Sequence, residues 1–330
     1  MFKIFKNYEI MCVFSPPLAA SPPAQRRRLD YLSNQLIVEC HPGDGQEPLH
    51  LMRWWKRIFS LLGPTHTERI KLRLLCNMFN ASLPPALGIK EYKGQVYTMF
   101  PHPNHPSLGS LMTRCDELYL EDPTKAPTII FIQEGNFEVN ESYLRINYAM
   151  KIIGAGRDKT IIHGGGFRIT GTKEEGKRVT LSNMTISETS GYGVEGRDGL
   201  SWLCDSMTIT QCGRSGVCAV NTKGRLINCV ITQCGFCGIF CSKNALIEME
   251  GDQTKVGGNG TDGDPSTYGL KTFNTSSIIH LLFPLTQESV STNNHGGGNY
   301  GGKGEIAIVD DDGNTIEIIN EVYEEPEGDY

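Results

Sequence analysis

The sequence repeats itself about once every 22 residues, and no other feature limits the possible folds so tightly. Ile209-Thr210-Gln211-Cys212-Gly213 recurs as Ile231-Thr232-Gln233-Cys234-Gly235, a shift of 22. One repeat earlier, Met184-Thr185-Ile186 aligns with Met207-Thr208-Ile209 at a shift of 23. Gly193, Gly216 and Gly238 keep the same count. A fixed period of this length marks a solenoid, in which each repeat buries its apolar face against its neighbours. The repeats are short and rich in β-branched residues, so they read as coils of an all-β, right-handed parallel β-helix. Aligned positions then lie about 4.8 Å apart and share one environment. In this register Ile186, Ile209 and Ile231 form an inward ladder and Cys212 lies under Cys234. Asn183, Ser206 and Asn228 make a polar column at the bend before that strand.

The β-helix is expected over residues 128–309. Thr128 to Ile132 and Met150 to Ile153 read as its first strands, bounded by Glu134-Gly135-Asn136, Gly154-Ala155-Gly156 and Gly164-Gly165-Gly166. The 37 glycines fit many corners. Later coils are less regular. Val256-Gly257-Gly258-Asn259 and Val290-Ser291-Thr292-Asn293 look like related corners 34 residues apart, with an inserted loop around Gly260 to Tyr268 that projects from the stack.

Helices are expected only upstream. Residues 1–50 contain the Pro-rich run Ser15 to Pro23 and the basic triplet Arg26 to Arg28, with little periodicity, and read as a poorly ordered segment. Residues 51–83 read as a helical hairpin. Leu51, Trp55, Ile58, Phe59 and Leu62 stripe its first helix; Ile70, Leu74, Leu75, Met78 and Phe79 stripe the second, capped by Thr65 or Thr67. Residues 84–127 read as an extended connector followed by an amphipathic helix with Leu108, Leu111, Met112, Cys115, Leu118 and Tyr119 on one face. An open β-helix end exposes apolar side chains, so this helix is expected to cap it.

Charge and cysteine usage narrow the function classes. The net charge is −6, yet Glu305 to Tyr330 holds ten acidic residues and no Lys or Arg, so the first 304 residues carry +4. Residues 310–330 read as a solvated acidic tail. The first 83 residues hold eleven Lys/Arg against six Asp/Glu without a dense stripe, which does not support nucleic-acid binding. Seven of eleven cysteines crowd between Cys204 and Cys241, as expected for buried thiols in a reducing compartment. Ile10 to Phe14 is too short for a signal sequence core, and no stretch has the length of a membrane span. A cytoplasmic or nuclear protein is expected.

Ile129-Ile130-Phe131-Ile132-Gln133-Glu134-Gly135-Asn136-Phe137, followed by Met150-Lys151-Ile152-Ile153-Gly154-Ala155-Gly156, resembles the opening of the pectin-lyase-like right-handed β-helix superfamily. That superfamily includes polysaccharide lyases, hydrolases, phage tailspikes and non-catalytic recognition domains, so the resemblance implies a fold and leaves function to the sites. Ile58-Phe59-Ser60-Leu61-Leu62 and Ile70 to Asn80 resemble the second half of an F-box, without its opening Leu-Pro. This resemblance implies a Skp1-like adaptor as partner, docking on Ile58, Leu61, Leu62, Ile70, Leu74, Leu75 and Phe79. It further implies the substrate receptor of a cullin-RING ubiquitin ligase.

The residues themselves argue against catalysis. Between Val179 and Ala245 the acidic residues are Glu188, Glu195, Asp198 and Asp205, which do not recur in one column as paired carboxylates or a Ca²⁺ cluster require. Arg69-Ile70-Lys71 matches a hydrolase tripeptide but falls in the expected helix. Cys234-Gly235-Phe236-Cys237 lacks a second ligand pair for zinc, and Asp310-Asp311-Asp312-Gly313-Asn314 lacks the ligand spacing of an EF-hand. No cofactor or metal is expected. The reading is a non-enzymatic protein-recognition β-helix that binds a protein target, with Asn259, Asp262, Asp264, Tyr268, Asn293, Asn294, His295 and Tyr300 as candidate target-binding loop residues. A divergent carbohydrate-active enzyme and a tailspike-type attachment protein are its rivals.

Overall fold

The computed structural model describes residues 10–12, 38–40, 90–92, 95–173, 175–310 and 312–320. The chain divides into two compact units, Met1–Gly88 and Ile89–Tyr330. Within the first, the described residues form one antiparallel pair, Ile10–Cys12 with Val38–Cys40. The expected helical hairpin at 51–83, with Ile58, Leu61, Leu62, Ile70, Leu74, Leu75 and Phe79, lies outside the described residues.

The second unit is a right-handed parallel β-helix of three sheets. A typical coil runs Arg178–Ser182 in the first sheet, Thr185–Ser187 in the second and Val194–Arg197 in the third, then returns to the first at Ser201–Asp205. Seven such coils stack from Ile129–Ile132 to Tyr300–Gly302, and Glu305–Val309 begins an eighth. The 22- and 23-residue shifts hold: Ile186 pairs with Ile209, and Ile209 with Ile231.

Inward columns are continuous. In the first sheet Ile130, Ile152, Leu181, Cys204, Leu226, Met249, Leu281 and Ile308 lie in register. In the third, Leu144, Phe167, Val194, Val217, Ile239 and Leu270 do the same. All are buried in one core. Each coil alone would expose this surface; stacking removes it from water, the dominant favourable term in folding.

Corners carry the backbone cost of turning three times per coil. Asn183, Ser206 and Asn228 adopt φ of 56°, 54° and 51° before the second sheet, and Glu188, Gln211 and Gln233 do so after it, at 54°, 54° and 56°. Asn and other short polar residues tolerate this left-handed region best. Gly193, Gly216 and Gly238 serve differently. A Cβ on each would lie 2.4, 2.5 and 2.3 Å from Ile209, Ile231 and Val256 respectively, so these glycines admit the aliphatic ladder of the following coil.

Both ends are closed. Helix α1, Leu108–Glu121, is capped by Ser107 and buries Leu108, Leu111, Met112 and Cys115, with Leu118 and Tyr119 packed beside them, as the apolar stripe predicts. The expected connector also joins the sheet: Gln95–Phe100 runs parallel to Ile129–Ile132, and Lys90–Tyr92 pairs with it antiparallel. At the other end Thr315–Ile318 pairs antiparallel with Glu305–Val309. Part of the acidic segment is thus a strand. Asn320 completes this end by accepting from Ile306 N at 2.6 Å and donating to Gly304 O at 2.6 Å.

Trp202 is the largest side chain in the interior, and two glycines make its room. A Cβ at Gly224 would stand 2.1 Å from its ring, and one at Gly196 2.1 Å from its Nε1. Gly224→Ala is expected to cost about 1–3 kcal/mol by overpacking. Trp202→Phe in the same chain should recover part of that loss, and a urea-denaturation double-mutant cycle measures the coupling.

Candidate functional site

The third sheet turns every second residue outward, and the register sets those residues in one ladder: Arg145, Arg168, Glu195, Cys218, Phe240 and Lys271. Glu195 stands on this outer face yet is 0% exposed. An isolated carboxylate there would lose its hydration at a cost of several kcal/mol. Two guanidiniums offset that loss. Arg168 Nε donates to Oε2 at 2.6 Å, while Arg197 donates to Oε1 through Nε at 3.0 Å and Nη2 at 2.8 Å.

Aromatic rings fix the arginines in turn. The Arg168 guanidinium lies 3.9 Å above the Tyr143 ring centroid. Tyr143 OH accepts from Tyr192 N at 3.3 Å, and Arg214 Nη1 donates to Tyr192 OH at 3.4 Å. The group is therefore contiguous from Arg214 through Tyr192, Tyr143 and Arg168 to Glu195 and Arg197. Hydrogen bonding to Glu195 raises the Arg197 pKa, and hydrogen bonding to Tyr192 raises that of Arg214, so both stay protonated. Burial raises the Tyr192 hydroxyl, and burial followed by the Glu195 charge pushes the Cys218 thiol up to about 12. Neither group ionises near neutral pH, which leaves the arginines and Glu195 to set the charge of the cluster.

Further along the same flank the character changes. Phe240 and Phe273 pair with ring centroids 5.7 Å apart, and Phe273 is 57% exposed. Phe236 is exposed on the turn between the second and third sheets. Beyond it, Lys271 Nζ lies 5.8 Å from the Tyr268 ring centroid.

The loop residues singled out from the sequence gather on that turn, in the sixth and seventh coils, but in two different roles. Asn259 and Asn294 build an internal amide ladder. Asn259 Oδ1 accepts from Cys234 N at 3.1 Å, and its Nδ2 donates to Ile231 O at 3.2 Å and Asn294 Oδ1 at 3.0 Å. Asn294 Nδ2 donates to Val256 O at 3.2 Å and Asn299 Oδ1 at 3.0 Å. Asn259 is fully buried. The others reach the surface. Asp262 and Asp264 close successive side-chain turns, accepting from Asp264 N at 3.2 Å and Ser266 N at 2.8 Å, and the Ser266 backbone bond holds the Asp264 carboxyl below its usual range. Asn293 and His295 are exposed; half-buried Tyr268 packs over Gly297 and Gly301, and Tyr300 OH donates to Gln287 O at 2.5 Å.

The spacing between these two corners differs from the expected 34. Val256 pairs with Ser291, a shift of 35, and Asn259 therefore stacks on Asn294 instead of Asn293. Helix α2, Gln287–Val290, takes up the extra residue before the strand Ser291–Thr292.

Sequence reasoning missed Tyr143, Arg168, Tyr192, Arg197 and Arg214, and met Glu195 only as an acid without a column. Between the second and third coils the shift is 29 in the first sheet, 24 in the second and 27 in the third, so no single period aligns Arg168 with Glu195. Aligning the apolar pair Phe167 and Val194 as inward residues is the signal that recovers it.

Elsewhere on the coils several titratable groups are paired. Arg225 on the first sheet contacts Glu248 at 3.6 Å and Glu250 at 2.7 Å, and His280 lies 3.3 Å from Glu305. Among the described residues no three His, Cys, Asp or Glu side chains gather to hold a metal ion. The eight cysteines from Cys115 to Cys241 are free and buried; Cys234, first of the CxxC, is 0% exposed and hydrogen-bonds Thr232 O at 3.5 Å, while Cys237 accepts from Tyr268 N at 3.4 Å. No helix among the described residues is long and apolar enough to cross a membrane.

No family model matches the sequence, and no curated protein matches it. Among solved structures the chain is similar to ORF18 of Geobacillus virus E2, with a TM-score of 0.37 and 12% identity, over 83% of this chain and 66% of that one. The chain thus spans just under two thirds of that protein's length, and likeness at this level carries no functional statement.

If Glu195 depends on its two guanidiniums, replacing Arg168 and Arg197 together by Met leaves a buried carboxylate without a counter-charge. Denaturant unfolding at neutral pH is expected to show a loss of about 3–5 kcal/mol. Exposed Arg145→Met is expected to stay within about 0.5 kcal/mol of the parent.

Proposed function

We propose that this chain is a non-enzymatic recognition protein that binds a protein target along the flank formed by the third sheet and the turn before it. The observation that carries this reading is the arginine–tyrosine cluster around Glu195. A fully buried carboxylate, salt-bridged to two arginines that remain 31% and 45% exposed, holds charged side chains in fixed positions at the surface. Arginine and aromatic residues dominate the energetics of protein interfaces because they combine area, charge and few degrees of freedom. Phe236 and Phe273 extend this surface with exposed apolar area. Glu195 is committed to structure by its two arginines, which disfavours a proton-transfer role for the one carboxylate at the centre of the flank.

A photo-cross-linking amino acid at Phe273 of the full chain tests this reading against one placed at Thr180 on the outer face of the first sheet. Cross-links to the same partner from position 273, lost on Arg145→Glu with Arg214→Glu while the melting temperature is unchanged, are the expected result. Cross-links from position 180 alone would overturn it.

The second half of the proposal assigns residues 51–83 to adaptor recruitment, which makes the chain a substrate receptor of a cullin-RING ubiquitin ligase. Its support is the F-box-like pattern of Ile58, Leu61, Leu62, Ile70, Leu74, Leu75 and Phe79. A Skp1-like adaptor is expected to co-purify with the full chain and to be lost on Leu62→Asp with Leu74→Asp. Wild-type chain that brings down no adaptor removes this half and leaves the recognition flank standing.

A further inference from the structure

We propose that the arginine cluster on the third sheet is a binding site for a phosphomonoester group, taken as its dianion. This rests on the reading of that flank as a binding surface and names the chemistry the bound partner presents.

The first argument is charge. Arg168 and Arg197 pair with one carboxylate, Glu195, while Arg145 faces Arg168 from the neighbouring coil and Arg214 joins the group through Tyr192, so four guanidiniums share one carboxylate and three positive charges are in excess; Asp198, the residue after Arg197, contributes a weaker field. Arg145 and Arg168 are direct register partners. Like charges facing each other on neighbouring strands are destabilising, and Arg145 has no acidic partner among the described residues. An anion seated against both relieves that repulsion. One carboxylate would leave two of the three charges uncompensated, whereas a phosphomonoester carries a charge of about −1.5 to −2 at pH 7 and offers three strong acceptor oxygens.

The second argument is the direction of the donors. Glu195 engages Arg168 through Nε and Arg197 through Nε and Nη2. Both Nη atoms of Arg168 and Nη1 of Arg197 have no acceptor among the described residues, and Tyr143 beneath Arg168 fixes the plane of its guanidinium. Arg214, braced by Tyr192, stands at the side of the cluster nearer the next coil, with Nη2 likewise without an acceptor among the described residues. Planar guanidiniums with their long edges open bind oxyanions through paired N–H donors, and Glu195 has already ordered two of them before any ligand arrives.

Isothermal titration of the full chain with three glycine-rich pentapeptides, carrying a central phosphoserine, glutamate or serine, tests the site. The phosphoserine peptide is expected to bind at least about tenfold more tightly than the glutamate peptide at pH 7.5, and the serine peptide not measurably. Because a phosphoserine loses its second proton near pH 6 and arginine does not titrate, binding should weaken by up to about tenfold between pH 7.5 and pH 5. Inorganic sulfate, dianionic throughout, should compete equally at both pH values. Arg145→Ala and Arg214→Ala, at exposed positions, should each weaken phosphoserine binding by about tenfold with circular dichroism melts unchanged. Equal affinity for the phosphoserine and glutamate peptides, or phosphoserine binding indifferent to both substitutions, overturns the proposal. Cross-linking from position 273 that remains sensitive to arginine reversal would then keep the flank as a recognition surface with a different ligand chemistry.

Discussion

Everything in the second unit depends on one constraint: successive coils lie about 4.8 Å apart with the same residues facing each other. A column is therefore stable only if its residue type is compatible with copies of itself. Ile186, Ile209 and Ile231 satisfy this inside by packing aliphatic branch on branch. At corners Asn259 bonds Asn294, because an amide is both donor and acceptor and can repeat, while Asn221 Nδ2 donates at 2.9 Å to Asp198 Oδ1, a carboxylate that only accepts. Gly193, Gly216 and Gly238 satisfy it by having no side chain to collide with the ladder of the next coil.

The same constraint makes charged columns costly, and the outer face of the third sheet shows how the chain responds. Arg145 and Arg168 repeat a positive charge, and the position after them is Glu195. Burying that carboxylate between Arg168 and Arg197 breaks the run of like charge at the step from Arg168 to Glu195. The remaining step, Arg145 on Arg168, is left uncompensated. A sheet selected for stability alone has no use for it, which is why the imbalance is informative about binding.

Legibility in the sequence followed the regularity of the coils. From Val179 to Ala245 no insertion intervenes, so the ladder of Ile186, Ile209 and Ile231, the stacked Cys212 and Cys234, and the bend residues Asn183, Ser206 and Asn228 were all readable from spacing. The capping helix was readable because its apolar stripe has period 3.6 against a background of period 2. Outside that window the three sheets lose common phase. The strand Gln95–Phe100 belongs to the first sheet but has no repeat partner at 22 residues, since α1 separates it from Ile129. The shift of 35 at Val256 was misread by one because Val290 is itself a buried aliphatic residue and imitates the strand position that Ser291 occupies. Asn259 and Asn294 read as loop residues because polarity alone does not distinguish an amide facing solvent from one that stitches two coils together.

The candidate site was the least legible part for a related reason. Its residues come from four segments, Tyr143 to Arg145, Arg168, Tyr192 to Arg197 and Arg214; Arg145 and Arg168 are 23 apart and Tyr192 and Arg214 22 apart, but the 27-residue step between Arg168 and Glu195 breaks the two halves out of phase. A solenoid reads as monotonous along its regular columns, where stacking demands similarity. Its distinctive chemistry arises where loop lengths change and bring unlike residues into one ladder, as the 27-residue step does for Arg168 and Glu195. On this flank Arg145 and Arg168 come from the coils before the long step, and Arg197 and Arg214 from the regular coils after it. Insertions that obscure the repeat are thus the same insertions that give the surface something to recognise.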